Sequence, residues 1–184
     1  MGFPMRTKRA LVLPVVAGLV LLGVGLSASA FADEWKEYSS QEGRLAVDFP
    51  GTPQQAKQPM QTKVGTLVAR IAMQSPSNNV FYGVLYLDYP KSTLEKYSAD
   101  DLLDGSRDSA VKRVKGGRLV GEDKISLAGN PGRQFKVDAP GDVHMTVRVY
   151  LVMNRLYWLI ASVKDADKDA DPKRFFDSFK LANG

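Results

Sequence analysis

Residues 143–163 constrain the fold of this chain more than any other stretch. Val143, Met145, Val147, Val149 and Leu151 alternate with His144, Thr146, Arg148 and Tyr150, which is the period of a strand with one core face. Met153-Asn154 then supplies a tight turn into residues 156–163, an almost wholly apolar run. A strand with no polar face belongs at the centre of a sheet covered on both sides. The chain is therefore expected to build an antiparallel sheet with a packed layer on each face.

The other segments fit that frame. Residues 35–38 and 44–49 flank a polar turn and form an opening hairpin, with Leu45, Val47 and Phe49 on one face. Pro53 and Pro59 bracket a stretch read as a polar loop. Residues 66–73 and 80–87 follow as strands joined across Ser75-Pro76-Ser77-Asn78-Asn79, and Asp88-Tyr89-Pro90 closes the second. A helix capped by Ser98 or Asp100 carries Leu102, Leu103, Ala110, Val111 and Val114 at helical spacing and stops at Gly116-Gly117. Residues 118–127 and 132–137 read as strands about Ala128-Gly129-Asn130-Pro131, where Gly and Asn tolerate positive φ. A closing helix has Asp171 as cap, Pro172 at its first position, and Phe175, Phe176 and Phe179 as anchors. The expected fold class is α+β, an antiparallel sheet flanked by helices on both faces in an α/β/α sandwich.

The first 32 of the 184 residues read as an export signal ahead of a single domain over residues 33–184. Arg6, Lys8 and Arg9 precede an apolar run over residues 10–26, and Ala30-Phe31-Ala32 ends in a small-x-small pattern, which places cleavage between Ala32 and Asp33. A secreted or periplasmic location follows, with an uncleaved leader as the one route to membrane attachment. Cysteine is absent, which excludes a disulfide framework, a thiolate metal site, a thiol nucleophile and a lipoprotein anchor. Without the leader the formal net charge falls from +5 to +2, so no concentrated basic field is left for nucleic acid.

Few side chains suggest chemistry. Asp165, Asp167, Asp169 and Asp171 alternate like the first half of a calcium loop, but Ala170 stands where glycine is needed and Phe176 where the bidentate glutamate belongs. The other reading is an acidic lead-in to the closing helix, and whether Asp165, Asp167 and Asp169 hold a cation is left open. His144 lies two residues from Asp142, an i and i+2 relation that lets the pair approach on one strand face. Ser126 and Ser162 are the serines considered as nucleophiles, without a Gly-x-Ser-x-Gly elbow. No catalytic residue, metal or cofactor is expected. An interaction surface is expected at the basic cluster Lys112, Arg113, Lys115 and Arg118, and at Arg148, Tyr150 and Arg155 on the polar faces of their strands.

The element order, with Gly129-Asn130-Pro131-Gly132-Arg133, Arg148-Val149-Tyr150-Leu151 through Arg155-Leu156-Tyr157, and Phe175-Phe176-Asp177-Ser178-Phe179, resembles the PsbP-like fold over most of residues 33–182. That fold unites the extrinsic subunit of photosystem II, the Ran-binding Mog proteins and many short exported bacterial proteins. The resemblance implies an accessory or interaction module without enzyme chemistry. The expected function is thus an exported, non-enzymatic module of the cell envelope that binds an envelope or secreted protein. The alternatives are a small-ligand or lipid carrier with a pocket between sheet and helix, and a hydrolase.

Overall fold

The structure is a computed structural model that describes residues 34–182 except Lys63, Ala166 and Lys168. The leader and its cleavage point before Asp33 lie outside the described residues.

The opening hairpin pairs β1 (Trp35–Ser40) with β2 (Leu45–Pro50). Then come β3 (Gln54–Thr62), β4 (Gly65–Ser77) and β5 (Val80–Asp88), followed by a short helix α1 (Lys91–Lys96) and the longer α2 (Ala99–Arg113). Strands β6 (Arg118–Leu127), β7 (Asn130–Ala139), β8 (Val143–Val152) and β9 (Arg155–Lys164) form a meander, and α3 (Pro172–Asp177) and β10 (Lys180–Leu181) close the chain. Seven strands make one antiparallel sheet in the order β3-β4-β5-β9-β8-β7-β6, while β1, β2 and β10 make a smaller one.

The apolar run of β9 occupies the middle of the large sheet, paired with β5 on one side and β8 on the other. Successive residues of β9 feed opposite cores. Leu156 and Trp158 pack with Leu102 and Leu103 of α2 and with Phe135, Val147 and Val149. Tyr157 and Leu159 pack with Leu45, Val47 and Phe49 of β2 and with Phe175, Phe176 and Phe179. This two-sided burial is the physical reason residues 156–161 carry no charged side chain.

The α+β class is as expected, but the two covering layers differ. Helix α2 covers one face, held at its start by a capping box in which Ser98 and Asp101 bond each other's backbone N–H. The second face is covered largely by the three-stranded sheet, with the six-residue α3 beside it, where a helical layer was expected. Asp171 caps α3 and Pro172 opens it, as the sequence implies. The backbone N–H of Asp171 also donates to the Tyr82 hydroxyl at 2.9 Å, which seats α3 on β5.

Three further expectations need correction. The segment bracketed by Pro53 and Pro59 is strand β3, paired with β4 over its whole length. It was hidden by its polar composition, which suits an edge strand, and Pro59 is tolerated there because an edge leaves N–H positions without a ladder partner. At the β6–β7 turn the positive φ angles fall on Ala128 (47°) and Gly129 (79°), a two-residue connection. Asn130 instead begins β7, and its side-chain amide donates to the Leu127 carbonyl at 3.1 Å. Tyr150, expected on an exposed face, is buried, because the layer built from β2 and α3 covers the side of β8 that the alternation alone assigned to solvent.

Candidate functional site

The basic cluster lies where α2 ends and β6 begins. The last turn closes by Gly117 N–H to the Val114 carbonyl, with Gly116 at φ 72°, and cations there complement the exposed helix carbonyls. Arg113 is drawn inward and its Nη2 donates to the Gln61 carbonyl at 3.1 Å, tying the β3–β4 hairpin to the helix. Arg118 reaches Asp138 at 3.6 Å. Lys112 and Lys115 are exposed and without an ion-pair partner among the described residues. Next in the chain, Leu119 and Val120 are 39% and 43% exposed on the outermost strand, where the β6–β7 register shifts between Leu119 and Gly121. These two apolar residues were missed as surface candidates. The available signal was a glycine inside a strand, which marks a bulge that turns adjacent side chains outward.

The other three interface candidates are spent on intramolecular contacts. Arg148 donates to Gln134 at 2.8 Å and to the Phe176 carbonyl at 3.3 Å, and its guanidinium lies 4.9 Å from the centre of the Phe176 ring. Tyr150 stacks on Phe179 with ring centres 6.0 Å apart. Arg155 clamps Asp88 through Nε and Nη2 at 2.6 and 2.8 Å, and its Nη1 donates to the Glu42 carbonyl at 2.6 Å. Asp88 is held below the usual carboxylate range by that clamp.

A second charge network was not foreseen. Arg133 of β7 is only 4% exposed, in contact with Asp100 and within 3.2 Å of Asp104 and 3.5 Å of Glu122. Arg107 joins Glu122 at 2.6 Å, and Lys124 joins Asp100 at 3.4 Å. The Arg133 guanidinium holds the Asp100 carboxyl below its usual range. A buried guanidinium persists only when paired in this way, so the network fastens α2 to β6 and β7. Its sequence trace is the run Asp100, Asp104, Asp108 at intervals of four, which repels along a helix unless cations from a neighbouring element answer it.

His144 does not pair with Asp142. Its Nδ1 lies 2.7 Å from Asp138, the residue opposite it on β7, and its Nε2 lies 3.0 Å from Asp165. With both ring nitrogens held by carboxylates, neither faces a nucleophile. Ser162 pairs with Met145, one position out of step with His144, and so projects from the other face of the sheet. Ser126 sits opposite Pro131, at the far end of β7 from Asp138. The hydrogen bond that the His144 ring N–H donates to Asp138 raises the His144 pKa above its ordinary value, against a smaller opposing desolvation. A raised folded-state pKa means that the stabilisation is complete below the unfolded value, about 6.5, and is lost as pH rises through the folded value. A proton NMR titration of this single histidine should give a midpoint above that of a model peptide, and Asp138→Asn should lower it. A midpoint unchanged by Asp138→Asn would remove the pairing.

The four aspartates that lead into α3 do not converge. Asp165 faces His144, Asp167 accepts from the Ser77 hydroxyl at 2.8 Å, and Asp171 caps α3 through the Arg174 N–H at 2.9 Å. Among the described residues no group of three or more acids, histidines or cysteines comes together in a way that would hold a metal ion.

Two concavities stand out among the described residues. One, of about 310 Å³, lies between α2 and the large sheet beneath the tip of the β3–β4 hairpin, with Leu87, Tyr89, Leu102, Leu156 and Trp158 in its wall. The Trp158 indole N–H is buried there without an acceptor. The other, of about 260 Å³, opens between the β1–β2 hairpin and strands β3 and β4.

No family model matches the sequence, and no curated protein matches it. Solved structures do match. The solution structure of cyanobacterial PsbP (CyanoP) from Synechocystis sp. PCC 6803 superposes with a TM-score of 0.54 at 11% identity, over 86% of this chain and 98% of that one. A protein of unknown function, PA94 from Pseudomonas aeruginosa, gives a TM-score of 0.41 at 12% identity, over 72% of this chain and 85% of that one. Element order, the central β9 and the agreement over nearly all of CyanoP lead to one conclusion: this chain has the PsbP-like fold.

Proposed function

We propose that this chain is an exported, non-enzymatic accessory module that binds a protein partner in the cell envelope. The observation that carries the reading is the α2–β6 junction, a short stretch of chain in which exposed Leu119 and Val120 follow exposed Lys112, Lys115 and Arg118. An apolar centre with a cationic rim suits a partner whose own apolar patch is rimmed by acids. The commitment of His144, Arg148, Arg155 and the α2 aspartates to internal ion pairs supports a role in shape over one in turnover. The test is cross-linking of the exported chain in the envelope fraction. A specific adduct should weaken about tenfold in the double variant Leu119→Ser/Val120→Ser, and Lys112→Glu/Lys115→Glu should weaken it in a salt-dependent way. An adduct indifferent to both pairs, or none under several growth conditions, would defeat the proposal.

The cavity beneath the β3–β4 hairpin supports a second reading, a carrier of a small ligand with an apolar body and a polar end, since Leu87, Leu102, Leu156 and Trp158 line it together with polar residues such as Asp104 and Arg113, and its volume is at the lower end of ligand pockets. Native mass spectrometry of the purified chain should then show a co-purifying mass that Leu102→Trp, which fills the space, removes.

A further inference from the structure

We propose that the cleft between the β1–β2 hairpin and strands β3 and β4 is a binding pocket for a small carboxylate with an apolar body, and that the Glu42 side chain is its resident, displaceable occupant. The cleft, about 260 Å³, has an apolar floor that includes Leu45, Ala72 and Val84, an aromatic wall of Tyr38 and Tyr86, and two cations, Lys57 and Arg70. Glu42 enters from the hairpin turn, and its carboxylate contacts Arg70 Nε and lies 3.5 Å from Lys57.

Three features mark the arrangement as a site and not merely a surface ion pair. First, Arg70 Nε is buried and faces the cleft, where the Glu42 carboxylate is the acid in contact with it. A carboxylate free of the turn can approach in the fork-to-fork orientation that guanidinium favours. Second, the local charges do not balance. Arg155 and Asp88 neutralise each other, which leaves Lys57 and Arg70 to share the single carboxylate of Glu42. Third, Glu42 can leave without unfolding its turn. The turn is held by backbone groups, with Arg155 on the Glu42 carbonyl at 2.6 Å, Tyr157 on the Gly43 carbonyl at 2.8 Å and Arg44 N–H on the Gln41 carbonyl at 3.2 Å, while the Glu42 side chain is half exposed.

The tyrosine rings decide the ligand class. Phosphate would gain only the cations, whereas the flat apolar body of an organic carboxylate can also lie against the Tyr38 and Tyr86 rings beside them. The Arg70 guanidinium, 5.7 Å from the centre of the Tyr86 ring, is positioned to receive the carboxylate at that wall. The cleft is bordered by β3, at the opposite edge of the large sheet from the Leu119–Val120 surface on β6, so its failure and the failure of the partner-binding reading are separate events.

The test is titration of the full chain with benzoate, followed by the ring proton signals of Tyr38 and Tyr86, with inorganic phosphate in parallel. Glu42→Ala removes the competing occupant and should bind benzoate about tenfold tighter than the wild type. Adding Arg70→Leu to Glu42→Ala should abolish the gain, with folding checked by near-UV circular dichroism. If that variant does not fold, Lys57→Gln in the Glu42→Ala background should remove most of the gain. Equal benzoate affinity in wild type and Glu42→Ala, or a gain that survives loss of the cation tested, would overturn the proposal. Phosphate binding as tight as benzoate would overturn the assignment to carboxylates.

Discussion

Alanine at position 132 is expected to cost about 3 kcal/mol and to lower the melting temperature by about 6–12 °C, although it adds a single methyl group. Gly132 pairs with Tyr150 across β7 and β8. A Cβ on Gly132 would stand 2.5 Å from the Val149 carbonyl oxygen and 2.6 Å from the Tyr150 ring. The first contact is with backbone, which cannot rotate away, and the second is with a ring already stacked on Phe179. Relief therefore requires β7 and β8 to separate locally. Gly129, three residues earlier, is the internal control. It has φ 79° and open space where its Cβ would stand, so Gly129→Ala should cost only the left-handed strain of about 1 kcal/mol. Thermal unfolding of the two variants should rank them in that order. A Gly132→Ala protein that melts with the wild type would show that the close approach does not hold.

Phe175→Ala carries the second large effect, a loss of about 3–5 kcal/mol. Phe175 is fully buried and lies 5.3 Å from the Phe49 ring and 5.1 Å from the Tyr82 ring, measured between centres, so it joins α3, β2 and β5 at one point. Its removal leaves a cavity between the two sheets that neither can fill, because each is held by its own ladder. Hydrogen exchange should localise the loss. Amides of β2 and β10 should lose protection first, while those of β7 and β8 beneath α2 keep theirs. Uniform loss across both sheets would show that the two layers unfold as one unit.

These two residues also show what kind of information the sequence carries. Gly132 belongs to one of the phrases by which the chain resembles the PsbP-like fold, and that fold is what the structure shows. Its place in that phrase could be read from the sequence, but its structural role could not, since a close approach depends on which carbonyl lies opposite. Phe175 was legible as an anchor because three phenylalanines within five residues, after an Asp-Pro cap, leave no polar way to place them. What they anchor to was not legible, because β2 and α3 are more than a hundred residues apart. The candidate surface divides in the same way. Lys112, Lys115 and Arg118 are exposed, whereas Arg148, Tyr150 and Arg155 were drawn into internal contacts by a covering sheet that no local pattern announces.

Local alternation and turn chemistry by themselves determined that β8 and β9 would pair and that β9 would be central, because hydrophobic period and glycine or asparagine placement act within a few residues. Only the tertiary structure decided that the second face would be closed largely by a small sheet, that Arg133 would be buried among Asp100, Asp104 and Glu122, and that Glu42 would lie between Lys57 and Arg70. Each of those outcomes joins residues far apart in the chain, and their free energy comes from burial and charge pairing that exist only once the layers have met.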